Sequence, residues 1–360
     1  MIVLELEDLG FGPFFATQLD RLKQTRPDLV PARIAADGAG IYHLLGCQAR
    51  LGEVSGRLRH ELSGIDRPAV GDWVAVVDDP ERAVIHQVLR RRTAMIRRAA
   101  DTDATAQMIA ANVDVFCLVT SANRDLNPRR IERYLTAVWE SGANPVIVLN
   151  KVDLVDDLAP LTQAIAAVAL GVPTVEVSAL TGVGLDAVRA HVGRGTTVGL
   201  VGSSGVGKSS LINRLVGREV QHVSDIREDD ARGRHTTTRR ELVLLPGGGV
   251  LVDTPGMREL GLVEDDGGID AAFADIADIA QECRFNDCLH ESEPGCAVQE
   301  ALISGTLSAE RLQSYRKLQR EIAAAERRRD PILAANERRR WKIIHKDLRA
   351  REKAKGGHWR

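Results

Sequence analysis

Gly202-Ser203-Ser204-Gly205-Val206-Gly207-Lys208-Ser209 combines glycines, a lysine and a closing hydroxyl at a spacing suited to phosphate. Glycine lets the backbone wrap closely around an anion, so that N–H groups converge on it where the next helix begins. Lys208 is placed to bring an ammonium to the β- and γ-phosphates, and Ser209 to bring a hydroxyl to Mg2+. An apolar strand, Thr197–Val201, leads into the loop and a helix leaves it from Lys208, the context this motif requires. Ser210, the next residue on that helix, is counted among the nucleotide contacts.

Two other stretches suit a purine base. In Asn150-Lys151-Val152-Asp153 the Asp153 carboxylate can accept from both the ring N–H and the exocyclic amine of guanine, a donor pair that adenine lacks. Lys151 can lay its aliphatic stem along the base plane, and Asn150 can brace the loop. In Ser178-Ala179-Leu180 the Ala179 N–H is expected to donate to the guanine keto oxygen.

Asp253-Thr254-Pro255-Gly256 suits the γ-phosphate end, with Asp253 holding Mg2+ through water and the Gly256 N–H reaching the phosphate. Gly233-Arg234-His235-Thr236-Thr237-Thr238 reads as a switch in which one threonine ligates Mg2+ only when the γ-phosphate is present. Thr237 is favoured, with Thr236 and Thr238 as neighbouring choices. Met257 follows Gly256, where many GTPases carry a water-orienting glutamine. A thioether cannot orient water, so another group or a partner must; His235 can accept from the attacking water or can simply decorate the loop.

The order of these motifs is unusual. The base-reading stretches precede the phosphate loop, whereas ordinary GTP-binding domains run the other way. Joining the old termini and cutting elsewhere, a circular permutation, produces this order.

A second kind of chemistry lies at Cys283-x4-Cys288-x-His290-x5-Cys296, with four soft or borderline ligands within 14 residues. This set suits one structural Zn2+ in a closed tetrahedral site; reduced, unliganded thiols are the alternative. A zinc hydrolase would need an open coordination position, which a full protein ligand set denies. Cys47 and Cys117 are expected in apolar strands as core residues.

The elements that must position these residues fall into three parts of a 360-residue chain. Short β-like runs at Ala32–Ala36, Ile41–Leu45, Ala49–Leu58, Trp73–Val77 and Ala83–Val88 follow about 30 irregular residues. They suit an OB-type barrel or another small β-domain such as an SH3-like one. Arg90, Arg91, Arg92, Arg97 and Arg98 then form a stretch that either touches phosphate or is a solvated linker. Strands at Val113–Val119, Val146–Leu149, Thr174–Val177 and Val198–Val201 alternate with helices, one starting at Asn127-Pro128 with Ile131, Leu135 and Val138 along one stripe. That alternation predicts a mostly parallel sheet whose carboxyl ends carry the motifs.

The expected boundaries are an N-terminal segment 1–31, an RNA-binding barrel 32–92, a linker 93–112, a GTPase domain 113–281 and a zinc-binding domain with a basic helical tail 282–360. Hydrophobic residues make up 44% and charged ones 27%, enough for real cores, while aromatics are only 4%. Net charge is −2, yet residues 311–360 carry 17 Lys+Arg against 6 Asp+Glu, which leaves the rest at −13. Arg327–Arg329, Arg338–Arg340, Trp341 and Trp359 in that tail suit RNA phosphate and unpaired bases, although charge runs can also be solvated faces. No apolar run approaches the roughly 20 residues that span a bilayer, and Met1-Ile2-Val3-Leu4-Glu5 lacks a signal-peptide pattern. A cytoplasmic monomer with no membrane role is expected.

Together these motifs, with Gly71-Asp72-Trp73-Val74 in the barrel, resemble the ribosome small-subunit-dependent GTPase A family over nearly the whole chain. The resemblance implies an α/β fold: a circularly permuted P-loop GTPase domain, preceded by an OB-type barrel and followed by a zinc-binding, helical domain. It implies slow hydrolysis of GTP to GDP and phosphate, stimulated by the small ribosomal subunit during late maturation. The barrel and zinc domain would grip ribosomal RNA, a histidine matching His235 would assist catalysis, and an apolar residue would stand at Met257. Two alternatives use the same residues: a nucleotide-stabilised RNA-binding module with little turnover, and a GTPase regulating another RNA complex.

Overall fold

The computed structural model describes residues 5–38, 40–62, 64–97, 106–123, 126–217, 241–253 and 268–329. Helix α1 (Pro13–Lys23) occupies part of the stretch expected to be irregular. Pro13 opens it, a position where proline lacks only a donor that would be unpaired anyway, and Phe15 and Leu19 are buried on one side.

Strands β1 (Leu29–Gly38), β2 (Ile41–Leu45), β3 (Leu51–Val54), β4 (Trp73–Val77) and β5 (Ala83–Val88) close a ring in the order β1-β2-β3-β5-β4-β1. Within this ring β3 and β5 are parallel and the other pairs antiparallel. A short helix α2 (Gly56–Glu61) joins β3 to β4. This closed five-stranded ring is of the OB type, and it favours that reading over an SH3-like one. The run Ala49–Leu58, expected as one strand, divides because Ser55 caps α2 by accepting from the Leu58 N–H at 3.3 Å.

Residues 93–112, expected as a linker, include β6 (Ala94–Arg97) and β7 (Gln107–Ala111), paired antiparallel. Of the arginines expected as linker or phosphate contacts, Arg90, Arg91 and Arg92 are engaged by the protein itself, and Arg98 lies outside the described residues. Arg91 grips the fully buried Asp72 bidentately at 2.8 and 2.7 Å and also donates to Ile65 O and Arg67 O. Arg92 pairs with Asp114, and Arg90 stacks over Phe14. A buried carboxylate needs such a partner, which draws the cations inward.

The nucleotide domain follows as β8 (Val115–Ser121), α3 (Pro128–Glu140), β9 (Asn144–Asn150), α4 (Ala159–Ala166), β10 (Thr174–Glu176), α5 (Leu185–Arg189), β11 (Thr197–Val201), α6 (Lys208–Val216), β12 (Glu241–Leu244) and β13 (Val250–Asp253). Its strand order is β10-β9-β8-β11-β13-β12, parallel except for β12 against β13. Asn127 caps α3 by accepting from the Arg130 N–H at 3.2 Å, and Ile131, Leu135 and Val138 are buried as the stripe predicts. A single register pair, Ala36 with Glu241, joins the barrel to this sheet through β1 and β12. Arg33, 1% exposed, stitches the same junction: it donates to Gly71 O, Leu9 O, Asn112 O and, at 2.8 Å, to Thr197 Oγ1.

Helices α7 (Gly268–Ala272), α8 (Ala274–Ala280), α9 (Ala297–Ser304) and α10 (Ala309–Arg329) complete the described chain. A buried network fastens them to α3. Glu132 accepts from Arg311 at 2.6 Å and from Ser314 at 2.5 Å, while Arg311 also forks onto Asp275 at 3.1 and 2.9 Å. Cys117 lies in β8 as expected, but Cys47 stands in the turn after β2, its thiol donating to Ala49 O at 3.2 Å.

Candidate functional site

The motifs meet at the carboxyl ends of β9, β10 and β11, where open α/β sheets hold ligands. Two glycines of the phosphate loop are required by close approach. Gly202 has φ +153° and a Cβ there would lie 2.2 Å from Val119 O; Gly207 has φ +94° and a Cβ would lie 2.3 Å from Asn150 Nδ2. Lys208 opens α6 and its Nζ donates to Gly202 O and Ser203 O, both at 2.6 Å, so the ammonium sits inside the loop it closes. Ser209 and Ser210 follow on the first turn of α6, while Ser204 and Gly205 are exposed at the lip and Val206 is buried beneath it.

Asn150, 1% exposed, ends β9 and holds both halves of the site together. Its Nδ2 donates to Val206 O at 2.8 Å and its Oδ1 accepts from the Ala179 N–H at 3.0 Å. The Ala179 amide, expected to meet the guanine keto oxygen, thus braces Asn150. Lys151 adopts a left-handed backbone, φ +64°, and its Nζ reaches Gly205 O at 2.7 Å. Ser178 Oγ accepts from the Thr181 N–H at 3.1 Å and shapes the turn after β10.

A cleft of about 810 Å3 opens beside these groups, lined by Asn150, Lys151, Asp153, Ala179, Gly207 and Ser210 among others. That volume falls within the usual range for ligand pockets, roughly 300–1,000 Å3. Asp153 is exposed on its wall, where a carboxylate can meet a base edge. Two arginines that no motif singled out also belong here. Arg130, from the first turn of α3, donates to Ser203 Oγ. Arg214, from α6, lines the cleft and donates to Ala179 O and Leu180 O. Neither was legible from spacing, because each reaches the site only through the packing of its helix.

Asp253 ends β13, one residue beyond Val252, which is in register with Gly199 of β11. The strand pairing therefore brings the Asp253 backbone beside the strand that feeds the phosphate loop. The expected switch residues Gly233–Thr238, with His235 and Thr237, and the segment Thr254–Met257, with Gly256, lie outside the described residues.

Cys283, Cys288, His290 and Cys296 converge, with one ligand atom from each lying within 4.8 Å of the others. His290 Nδ1 lies 3.6 Å from Cys283 Sγ and 3.5 Å from Cys296 Sγ, and the two sulfurs are 3.9 Å apart. Tetrahedral Zn2+ with bonds of about 2.3 Å to sulfur and about 2.0–2.1 Å to nitrogen needs sulfurs about 3.8 Å apart and sulfur–nitrogen spacings of about 3.6 Å. The donor set and its spacing fit one such ion. His290 is held in a left-handed backbone conformation, φ +59°, with its carbonyl accepting from Gln299 and Arg316.

A family model described as RsgA GTPase matches residues 88–263, and one described as 50S ribosome-binding GTPase matches residues 197–337. A Listeria innocua protein named Small ribosomal subunit biogenesis GTPase RsgA 1 is 44% identical over 354 residues, covering 97% of this chain and 99% of its own. The chain belongs to the RsgA GTPase family. Among solved structures, YjeQ from Thermotoga maritima superposes with a TM-score of 0.62 at 26% identity, covering 82% of this chain and 99% of that one. YloQ, described as a circularly permuted GTPase, gives 0.57 at 24% identity, covering 84% and 96%. The RsgA-family chain is thus a GTP-hydrolysing enzyme on a circularly permuted fold, with a Cys3His cluster compatible with one zinc.

Proposed function

We propose that this GTPase is an assembly factor of the small ribosomal subunit, binding ribosomal RNA and turning over GTP faster when docked on the subunit. The observation that carries this reading is the correspondence with the Listeria RsgA 1 protein across 97% of the chain, because it includes the barrel and the metal cluster as well as the nucleotide domain. The 50S wording belongs to a model that matches residues 197–337, away from both the barrel and the base-reading strands.

In this proposal Asn150, Lys151, Asp153, Ser178 and Ala179 form the guanine end, and Gly202 through Ser210 cradle the phosphates. Ser209, Thr237 and Asp253 would hold Mg2+, which supplies charge neutralisation at the β- and γ-phosphates. Lys208 and the Gly256 N–H offset developing negative charge, and His235 accepts from the attacking water. The phosphate loop and Asp253 follow or end adjacent parallel strands, which supports Asp253 acting at the phosphate end. Loss of that phosphate would release Thr237 and Gly256 and alter the grip of the flanking domains. The Cys283/Cys288/His290/Cys296 centre would be structural, holding the loop between α8 and α9. A cytoplasmic, monomeric protein belongs to the same reading; among the described residues no helix is long and apolar enough to cross a membrane.

Co-sedimentation with separated ribosomal subunits, using a non-hydrolysable GTP analogue, tests the assignment. Binding to small subunits together with faster single-turnover hydrolysis is expected. Binding to large subunits alone, or hydrolysis that small subunits leave unchanged, would refute it.

A further inference from the structure

Arg214 stands on α6, about two turns beyond the phosphate loop. Its Nε donates to Ala179 O at 3.0 Å and its Nη2 to Leu180 O at 2.6 Å. Arg189 donates from Nη2 to the Arg214 carbonyl at 3.2 Å and from Nη1 to Asp186 Oδ1 at 2.9 Å, so α5 secures the base of the arm. The two carbonyls belong to the turn after β10, and the guanidinium lines the same cleft as Asp153. A planar fork on successive carbonyls fixes orientation as well as distance.

Each carbonyl shares a rigid trans peptide plane with the following N–H, and the two point in opposite directions. Holding Ala179 O on the guanidinium therefore aims the Leu180 N–H away from Arg214. The neighbouring amides are engaged, Ala179 N–H by Asn150 Oδ1 at 3.0 Å and Thr181 N–H by Ser178 Oγ at 3.1 Å. We infer that Arg214 is a positioning residue for purine selection, orienting the Leu180 N–H as the donor that reads the keto oxygen at C6. A base with an amine at C6 presents donor against donor there and is disfavoured, because both donors give up water without gaining an acceptor. The inference rests on the cleft being the guanine site.

The test compares kcat and KM of wild type, Arg214→Ala and Arg214→Lys for GTP, inosine triphosphate and 2,6-diaminopurine riboside triphosphate. The diaminopurine nucleotide keeps the 2-amine but loses the keto group and the ring N–H. Inosine keeps the keto group and the ring N–H and lacks only the 2-amine, so the Arg214 contribution is read as the change in each preference between wild type and variant. For Arg214→Ala, KM for GTP should rise about tenfold at nearly constant kcat, and preference for GTP over the diaminopurine nucleotide should fall about tenfold. Preference for GTP over inosine triphosphate, which Asp153 reads through the 2-amine, should stay unchanged. Arg214→Lys should recover part of the loss, since an ammonium can hold one carbonyl. Unchanged KM and discrimination in Arg214→Ala, or equal losses for all three nucleotides with a lowered melting temperature, would overturn the inference. Should wild type fail to prefer GTP over ATP, the guanine site itself is misplaced, a result visible before any variant is made.

Discussion

Asn150 Nδ2 donates to Val206 O at 2.8 Å across a sequence separation of 56 residues, tying the base-reading strand end to the phosphate loop. The same side chain receives the Ala179 N–H, so one buried amide joins three segments of the site. Strand β8 lies between β9 and β11, so the Asn150 side chain spans the end of an intervening strand to reach the loop, a contact set by spatial order in the sheet and not by chain order.

Asn150→Ala should therefore weaken GTP binding well beyond the loss of one contact. It strands the Val206 carbonyl and the Ala179 N–H, each costing about 1–3 kcal/mol when buried. Nucleotide titration should show affinity down by about 100-fold or more, with the melting temperature also lowered. A change under about threefold would mean that the loop holds itself.

His235→Ala should slow turnover about 100-fold while GTP affinity changes less than about threefold, as expected for a group that handles the attacking water. Single-turnover hydrolysis and equilibrium nucleotide binding, measured on the same preparation, separate the two. Equal losses in both would assign His235 to holding the loop.

One Zn2+ per chain is the expected stoichiometry by elemental analysis of purified protein. Cys288→Ser or strong chelation should remove it and lower the melting temperature, because the loop between α8 and α9 has thiol and imidazole ligands in place of an apolar core. GTP binding should persist. Metal content unchanged in Cys288→Ser would exclude that thiol as a ligand.

Arg311→Ala leaves Glu132, 2% exposed, without its cation and should cost about 3–5 kcal/mol in chemical denaturation. Arg311→Met with Glu132→Gln should recover much of that, since the penalty comes from an unpaired buried charge. A loss below about 1 kcal/mol for the single change would show that water reaches the pair.

Burial pushes the Cys117 thiol up to about 12 from its ordinary 9.0. The folded value is raised, so the associated stability is complete below pH 9 and is lost as pH rises from 9 towards 12, by at most about 1.4 kcal/mol per pH unit. Urea unfolding at about pH 8 and about pH 10 should show this decline, and Cys117→Ala should reduce it. An identical slope in the variant would place the titrating group elsewhere.

The segments that converge at the cleft were legible because each carries its own local backbone requirement. Gly202 and Gly207 are needed where a Cβ would strike Val119 O and the Asn150 side chain, and an Asn-Pro pair starts α3 whatever surrounds it. The Cys283–Cys296 cluster was legible for the same reason, since its ligands lie close in sequence and converge in space. Ala49–Leu58 misled because its apolar content hid a serine cap, and Arg91 misled because nothing in its neighbourhood announces the Asp72 carboxylate it must neutralise.

From residue order alone, this protein's ligand chemistry, its permuted connectivity and its three-part organisation could be read, because close-range geometry and polarity dictate them. Only the tertiary structure decided which long side chains serve the site. Arg214 reaching the turn after β10, Arg130 reaching Ser203, Arg33 bridging barrel and sheet, and Glu132 anchoring α10 each join residues far apart in the chain. Such partners are chosen by how helices and sheets pack, since a buried charge settles on whichever acceptor the assembled fold brings within reach.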